Sequence, residues 1–258
     1  MVDSKQVTQG FLDNSQYLSA SIRHYEWVYG EDFVSPGGKA LAREMIARLA
    51  PDAGSKVLDV GCGLGGSAFV MASEYDCFVD GIDLSKNMLE IAQQKLSAYG
   101  LQHRVELQWG DCLEMTCESA YDAIYSRDVF LHIHDKARLF SVLFAALRPG
   151  GRLLFTDYCC GPQPWNQDFS EYVEDRGYRL HGLDEYAGLI SAAGFDRIES
   201  EDLTQRFIDI LHSDLERIAT LKIELPQRNK LQQSWQQKYL RATAGDHRWG
   251  LFSATKPE

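Results

Sequence analysis

The stretch VLDVGCGLGG, residues 57–66, decides how the rest of the chain is read. Val57, Leu58 and Val60 form a short apolar run of the kind that fills a strand buried on both faces. Gly61, Gly63 and Gly65 or Gly66 follow at once, where the missing Cβ permits a tight turn and close approach of a ligand to the main chain. By itself the G-x-G-x-x-G spacing would serve a nicotinamide enzyme equally well.

Working outward, KVLDV (56–60), CFVDGID (77–83), RVELQW (104–109), YDAIYS (121–126) and GRLLFTDY (151–158) read as strands separated by helical patterns. Leu139, Phe140, Leu143, Phe144 and Leu147 recur at helical spacing, and Arg148-Pro149-Gly150-Gly151 stops that helix. Such alternation predicts an α/β fold with a parallel sheet covered by helices, and ligands in these sheets bind beyond the carboxyl ends of the strands. Three acids lie at those ends. Asp59 precedes the first glycine, Asp83 ends the next strand where a ribose diol would need an acceptor, and Asp111 follows the third strand. A lone aspartate at such a place also serves as a helix cap or solvated loop residue.

Composition narrows the function classes. The 258-residue chain is 45% hydrophobic, enough for one well-packed domain or a domain with a cap. A net charge of −11, with no basic run interleaved with aromatics, excludes a nucleic acid or anionic membrane partner. No charged leader with an apolar stretch opens the chain and no 18-residue apolar run occurs, so a soluble, cytoplasmic protein is expected. Six cysteines without a CxxC pair give no zinc or disulfide pattern and fit reduced thiols. His132 and His134 form an H-x-H pair with no third ligand at suggestive spacing, so no metal is expected.

The spacing of Asp59, Gly61, Gly63, Asp83 and Asp111 resembles that of class I S-adenosylmethionine-dependent methyltransferases. The resemblance implies a Rossmann-like seven-stranded sheet and S-adenosylmethionine as cofactor. The loop would take the amino-acid end of that cofactor, Asp83 the ribose hydroxyls and Asp111 the adenine amine, with Leu84 and Cys112 also among the cofactor-binding residues.

Beyond the core, FLDNSQY (11–17), HYEWVYGEDFVSPGG (24–38), YSRDVFLHI (125–133), TDYC (156–159), EYVEDRGY (171–178) and HRWGLFSATK (247–256) resemble the phosphoethanolamine N-methyltransferases of plants, nematodes and malaria parasites. The likeness spans nearly the whole chain. It is greatest to the single-domain parasite type and to the C-terminal half of the plant type. It implies that Tyr17 and His132 are the catalytic pair, that Val34, Ser35 and Arg127 touch the cofactor, that Asp128 faces the substrate amine, and that Gln16 also binds the substrate. It further implies a phosphate pocket of Tyr25, Tyr158, Tyr172, Arg176, Tyr178 and Lys238. The chemistry agrees. An ammonium must lose a proton before its nitrogen can attack a methyl group, and histidine can pass that proton on. Arginine, lysine and tyrosine are suitable donors to phosphate.

The residues alone leave alternatives open: a satisfied core histidine at 132, a local Arg127–Asp128 ion pair, and an amphipathic surface helix carrying Tyr172 and Arg176. Another small acceptor, such as a sterol, quinone or amino acid, or a non-catalytic cofactor-binding module, is a further alternative. Where the family has serine or threonine at the second position of the 35–38 loop, this chain reads SPGG, and Pro36 stiffens it.

The expected layout is a single domain over 1–258: an N-terminal lid (1–40), a cofactor-binding core (41–203), a helical cap insertion (204–246) and a final strand (247–258). Within it, FDRIESEDL (195–203) and HRWGLFSATK would close the sheet as an antiparallel pair, and helical patterns at about 207–224 and 227–242 would flank Pro226. A monomer is the expected state, acting on a small-molecule phosphobase. Resemblance to the plant C-terminal half implies the later of three methylations, and resemblance to the parasite type implies all three.

Overall fold

A computed structural model describes residues 7–258, so the first six positions of the expected lid lie outside the described residues. One sheet organises the chain. Its strands are β1 (Lys56–Val60), β2 (Phe78–Asp83), β3 (Val105–Trp109), β4 (Tyr121–Arg127), β5 (Leu147–Cys160), β6 (Asp196–Asp202) and β7 (His247–Thr255), in the order β3-β2-β1-β4-β5-β7-β6. The first five run parallel, while β7 lies antiparallel between β5 and β6. Val57, Leu58, Val60, Ala123, Ile124 and Tyr125 are all buried, as central strands covered on both faces require. At the edge, β6 (DRIESED) is almost entirely exposed and charged, which discourages pairing with another chain.

The strand order reverses between β1 and β4, so the turns leaving these two strands diverge and open a crevice. The helices are α1 (Gln9–Phe11), continued by a π-helical turn at Leu12–Gln16, then α2 (Ser19–Tyr29), α3 (Gly38–Leu49), α4 (Gly66–Glu74), α5 (Lys86–Tyr99), α6 (Lys136–Ala146), α7 (Gln167–Arg176), α8 (Leu183–Ala192), α9 (Thr204–Thr220) and α10 (Leu225–Ala244). Helix α6 starts at the Asp135 cap, whose carboxylate accepts the Arg138 N–H at 2.9 Å, and buries Leu139, Phe140 and Leu143.

Two boundaries differ from the sequence reading. β5 begins at Leu147, four residues early, because Arg148–Gly151 form an irregularity in its pairing with β4 and do not precede the strand. Pro226 does not separate two helices. It sits in the first turn of α10, where its missing N–H had no helical partner to lose, and α9 ends at Thr220. α9 presents Phe207, Leu211, Asp214 and Ile218 as one buried stripe, facing α10, which buries Leu231, Trp235 and Ala242.

Candidate active site

Every residue assigned a catalytic, cofactor or substrate role from the sequence lines one cavity of about 460 Å³ at the carboxyl ends of the strands. Its first wall is the glycine turn after β1. Gly61 has φ of +71°, and a Cβ there would lie 2.3 Å from the Val129 side chain. The turn is fastened to β2: the Gly61 N–H donates to the Ile82 carbonyl at 2.8 Å and the Gly63 N–H donates to Asp83 Oδ2 at 2.8 Å. Asp83 Oδ1 accepts from the Ser85 N–H at 2.8 Å, so both carboxylate oxygens are oriented and each keeps acceptor capacity. Burial pushes the Asp83 carboxyl up to about 6, opposed by these N–H donors, and lifts Asp59 to about 7 with Asp83 as the second cause. Asp111 caps the short turn at Cys112–Glu114, accepting from the Leu113 N–H at 2.9 Å, and also lines the cavity. The cap reading and the cavity placement hold together at this residue.

The end of β4 separates its two charged residues. Arg127 is buried and donates to the Gly38 carbonyl at 3.1 Å and to the Pro36 carbonyl, tying the SPGG loop to the strand. Asp128, just beyond the strand, has φ of +57°, an uncommon conformation for a residue with a Cβ. Its Oδ1 accepts from Trp249 Nε1 at 2.7 Å and from Thr156 Oγ1 at 3.1 Å, whereas Oδ2 is buried without a partner. Val34 and Ser35 complete this wall, with Ser35 Oγ 3.5 Å from the Arg127 carbonyl.

Above this point lie Tyr17 and His132. The tyrosine hydroxyl is 3.4 Å from His132 Nε2, and His132 Nδ1 is buried without a partner. Burial first, then the cations Lys136 and Arg176, lower the His132 pKa to about 3, so the ring is neutral at pH 7. Burial raises Tyr17, so its hydroxyl stays protonated. His134 also lines the cavity, its Nε2 lying 3.0 Å from the Gly177 carbonyl.

Tyr17 is placed by a residue the sequence reading left unassigned. Asp13 is buried and accepts from the Ser85 hydroxyl at 2.5 Å and the Lys86 N–H at 3.2 Å, at the start of α5. Asn87 Nδ2 donates to the Tyr17 carbonyl at 2.9 Å and to the Asp13 carbonyl at 3.1 Å. On the far side, Gln16 Nε2 donates to the Arg176 carbonyl at 3.1 Å. The N-terminal segment thus bridges the cavity from α5 to α7.

The other end of the cavity is cationic and aromatic, despite the acidic chain. Lys238 Nζ donates to the Tyr158 hydroxyl at 3.4 Å and lies 5.4 Å from the Trp235 ring centre. Burial, with Arg176 second, lowers the Lys238 pKa to about 8, against the pull of Asp214 and Asp128. Arg176 and Arg241 lie 5.8 and 4.2 Å from the centre of the Tyr172 ring, and Tyr178 meets Tyr172 edge-on at 5.6 Å and His132 at 5.1 Å. Tyr25 stacks on Tyr29 and tilts against Trp235. Arg241, held by a two-point pair with Asp168, and Trp235 also line the cavity and were not foreseen. Their spacing to Lys238, three residues each way on α10, is the signal that could have found them.

The comparisons with known proteins agree with this architecture. Residues 51–238 match the model of a methyltransferase domain. Phosphoethanolamine N-methyltransferase 3 of Arabidopsis thaliana is 41% identical, over 98% of this chain and 53% of its own length; phosphoethanolamine N-methyltransferase 1 of Zea mays is 40% identical, over 96% and 50%. The chain therefore spans about half the length of the plant relatives. The Plasmodium falciparum phosphoethanolamine N-methyltransferase is 31% identical over 99% of both chains. Among solved structures, Haemonchus contortus phosphoethanolamine N-methyltransferase 2, in complex with phosphomonomethylethanolamine and S-adenosylhomocysteine, superposes with a TM-score of 0.94 at 36% identity, covering 98% of this chain and 61% of that one. With a matching domain model and a full-length relative above 30% identity, the chain belongs to the phosphoethanolamine N-methyltransferase family of methyltransferases.

Proposed function

We propose that this chain transfers methyl groups from S-adenosylmethionine to the nitrogen of phosphoethanolamine, or of its mono- and dimethyl forms, towards phosphocholine. The observation that carries the reading is the order of groups across one cavity. Glycine-turn and acidic groups sit over β1–β3, Asp128 and His132 follow β4, and Arg176 and Lys238 stand with tyrosines over β5, α7 and α10. A phosphate at the cationic end would place an amine near Asp128 and His132.

The nucleotide end fits the cofactor. Gly61 and Gly63 leave main chain open to the cavity, Asp83 keeps acceptor capacity for a ribose diol, and Asp59 carries a buried oxygen without a partner. When bound, the cofactor supplies an electrophilic methyl group. Gly61, Gly63, Asp59, Asp83, Leu84, Asp111, Cys112, Val34, Ser35 and Arg127 are the residues we assign to holding it.

The chain's own residues do the rest. Asp128 Oδ2 attracts the ammonium, and the neutral His132 ring, with Tyr17 beside it, offers a lone pair to the proton that must leave. Arg176 and Lys238 hold the phosphate through charge, and Tyr25, Tyr158, Tyr172 and Tyr178 add neutral donors and ring faces for a methylated cation. Residues 7–40 and 204–246 act as lid and cap, excluding water around the reacting groups.

We also read the protein as a cytoplasmic monomer. The six cysteines are unpaired, no helix among the described residues is long and apolar enough to cross a membrane, and the large exposed apolar side chains are spread over the N-terminal segment, β2, β3, α5 and α10. The test of the substrate class compares phosphoethanolamine and its methylated forms with unphosphorylated ethanolamine and its corresponding forms as acceptors of a labelled methyl group. Transfer confined to the phosphorylated set is expected, and equal transfer to both would overturn the reading.

A further inference from the structure

Asp128, directly after β4, is held at a φ of +57°. Its left-handed backbone costs energy in a residue with a Cβ, and such strain persists where surrounding contacts over-determine it. Those contacts come from two residues. Thr156 on β5 accepts the Asp128 N–H on its carbonyl at 2.8 Å and donates its hydroxyl to Oδ1 at 3.1 Å. Trp249 on β7 donates its indole N–H to the same oxygen at 2.7 Å. Both are buried, with relative exposures of 1% for Thr156 and 0% for Trp249. Trp249 is itself placed by the antiparallel pairing that sets it opposite Tyr158, and its backbone N–H donates to Thr204 Oγ1 at 3.2 Å.

We propose that Trp249 and Thr156 are positioning residues that saturate one oxygen of Asp128 and fix the other toward the cavity as the acceptor for a substrate ammonium. The choice of partners matters electrostatically. An arginine on Oδ1 would cancel the carboxylate charge, whereas an indole and a hydroxyl orient it and leave the negative charge for the ligand. The adjacent cation, Arg127, donates its hydrogen bonds to the Pro36 and Gly38 carbonyls and makes none to Asp128. A fixed acceptor oxygen also discriminates along a methylation series. Primary, secondary and tertiary ammonium groups each carry at least one N–H to donate, and the quaternary product carries none. The product therefore loses the bond that held its precursors.

The assignment rests on the phosphobase reading above, and its test separates the two. Phosphoethanolamine binding is measured by calorimetry on S-adenosylhomocysteine-saturated wild type, Trp249→Phe, Thr156→Val, Asp128→Asn and the Asp128→Asn/Trp249→Phe double variant, with methyl transfer followed against pH. Trp249→Phe and Thr156→Val should each weaken phosphobase binding about tenfold, as loss of a hydrogen bond to a charged group does, while leaving S-adenosylhomocysteine affinity within about twofold.

The acid limb of kcat/KM should move to higher pH, since burial already raises the Asp128 carboxyl and the two donors oppose it. Other groups acting on or coupled to Asp128 are Arg127 and Tyr125 on β4, Asp157 and Tyr158 on β5, Lys238 on α10, Tyr29 on α2 and Tyr17. None is altered by these substitutions. In the Asp128→Asn background, Trp249→Phe should cost much less than in wild type, because the charge it orients is gone. Equal cost in both backgrounds, or parallel loss of S-adenosylhomocysteine and phosphobase affinity, overturns the assignment. Should Trp249→Phe fail to fold, Thr156→Val carries the same expectations alone. A wild-type protein that binds no phosphobase overturns both readings; a wild type that binds it, with both variants unchanged, overturns this one only.

Discussion

Replacing Lys238 by methionine should make the protein more stable and less able to use a phosphorylated substrate. Lys238 stands in the cavity wall against Trp235 and Tyr158, and its pKa falls from 10.5 to about 8, through burial first and Arg176 second. Keeping it charged at pH 7 thus costs the folded state about 3 kcal/mol, at about 1.4 kcal/mol per pH unit of lowering. Methionine has a similar reach, packs well on aromatic rings and carries no charge to desolvate. For a chain of this size, recovering that cost would raise Tm by roughly 6–12 °C, less whatever the lost ring contacts contribute.

The sign fixes the pH dependence. The folded pKa is below the unfolded one, so the penalty is fully present below about pH 8 and is relieved as pH rises through 8 to 10.5. The Tm advantage of Lys238→Met should therefore shrink between pH 7 and pH 10. Phosphobase KM should rise by roughly 10–100-fold, the loss of a charge-assisted contact. Thermal unfolding at the two pH values and steady-state kinetics are the assays. A variant less stable than wild type at pH 7 would refute the burial argument, and an unchanged KM would remove Lys238 from the phosphate end.

Other substitutions probe the remaining walls. His132→Ala should lower kcat by about 10²–10⁴-fold with little change in S-adenosylmethionine affinity, measured by single-turnover kinetics and calorimetry; equal losses in both would mark a structural residue. Asp83→Asn sets an amide where both oxygens now accept N–H donors, from Gly63 and Ser85, so one N–H must face an NH₂. It should weaken cofactor affinity about tenfold or more, by calorimetry, and unaltered affinity would count against the nucleotide assignment. Asp13→Ala removes the link between the N-terminal segment and α5, and should raise KM for both substrates about tenfold with the core fold intact by circular dichroism; unchanged KM values would show that the bridge is not needed to place Tyr17.

The core was readable from sequence because its signals are local. Apolar runs such as KVLDV need two covered faces, and the glycines after it need a turn, so β1 and the crevice beside it follow directly. The residues given site roles from the sequence all line one cavity because each belongs to a segment that ends a strand or caps the sheet. What escaped was long-range pairing. Asp13 is 72 residues from Ser85, and Trp249 is 121 residues from Asp128, and nothing in either local segment announces the other. Helix ends escaped for a different reason: proline is compatible with a first helical turn as well as with a break, and at Pro226 the two readings give the same local pattern.

The most direct test of the central claim is turnover by the purified chain. S-adenosylmethionine would be supplied with phosphoethanolamine, its monomethyl form or its dimethyl form in separate reactions, and products followed by mass spectrometry. The account predicts N-methylated phosphobase, with phosphocholine as the end point of the series that is accepted. Bound cofactor with no methyl gain on any of the three would contradict it.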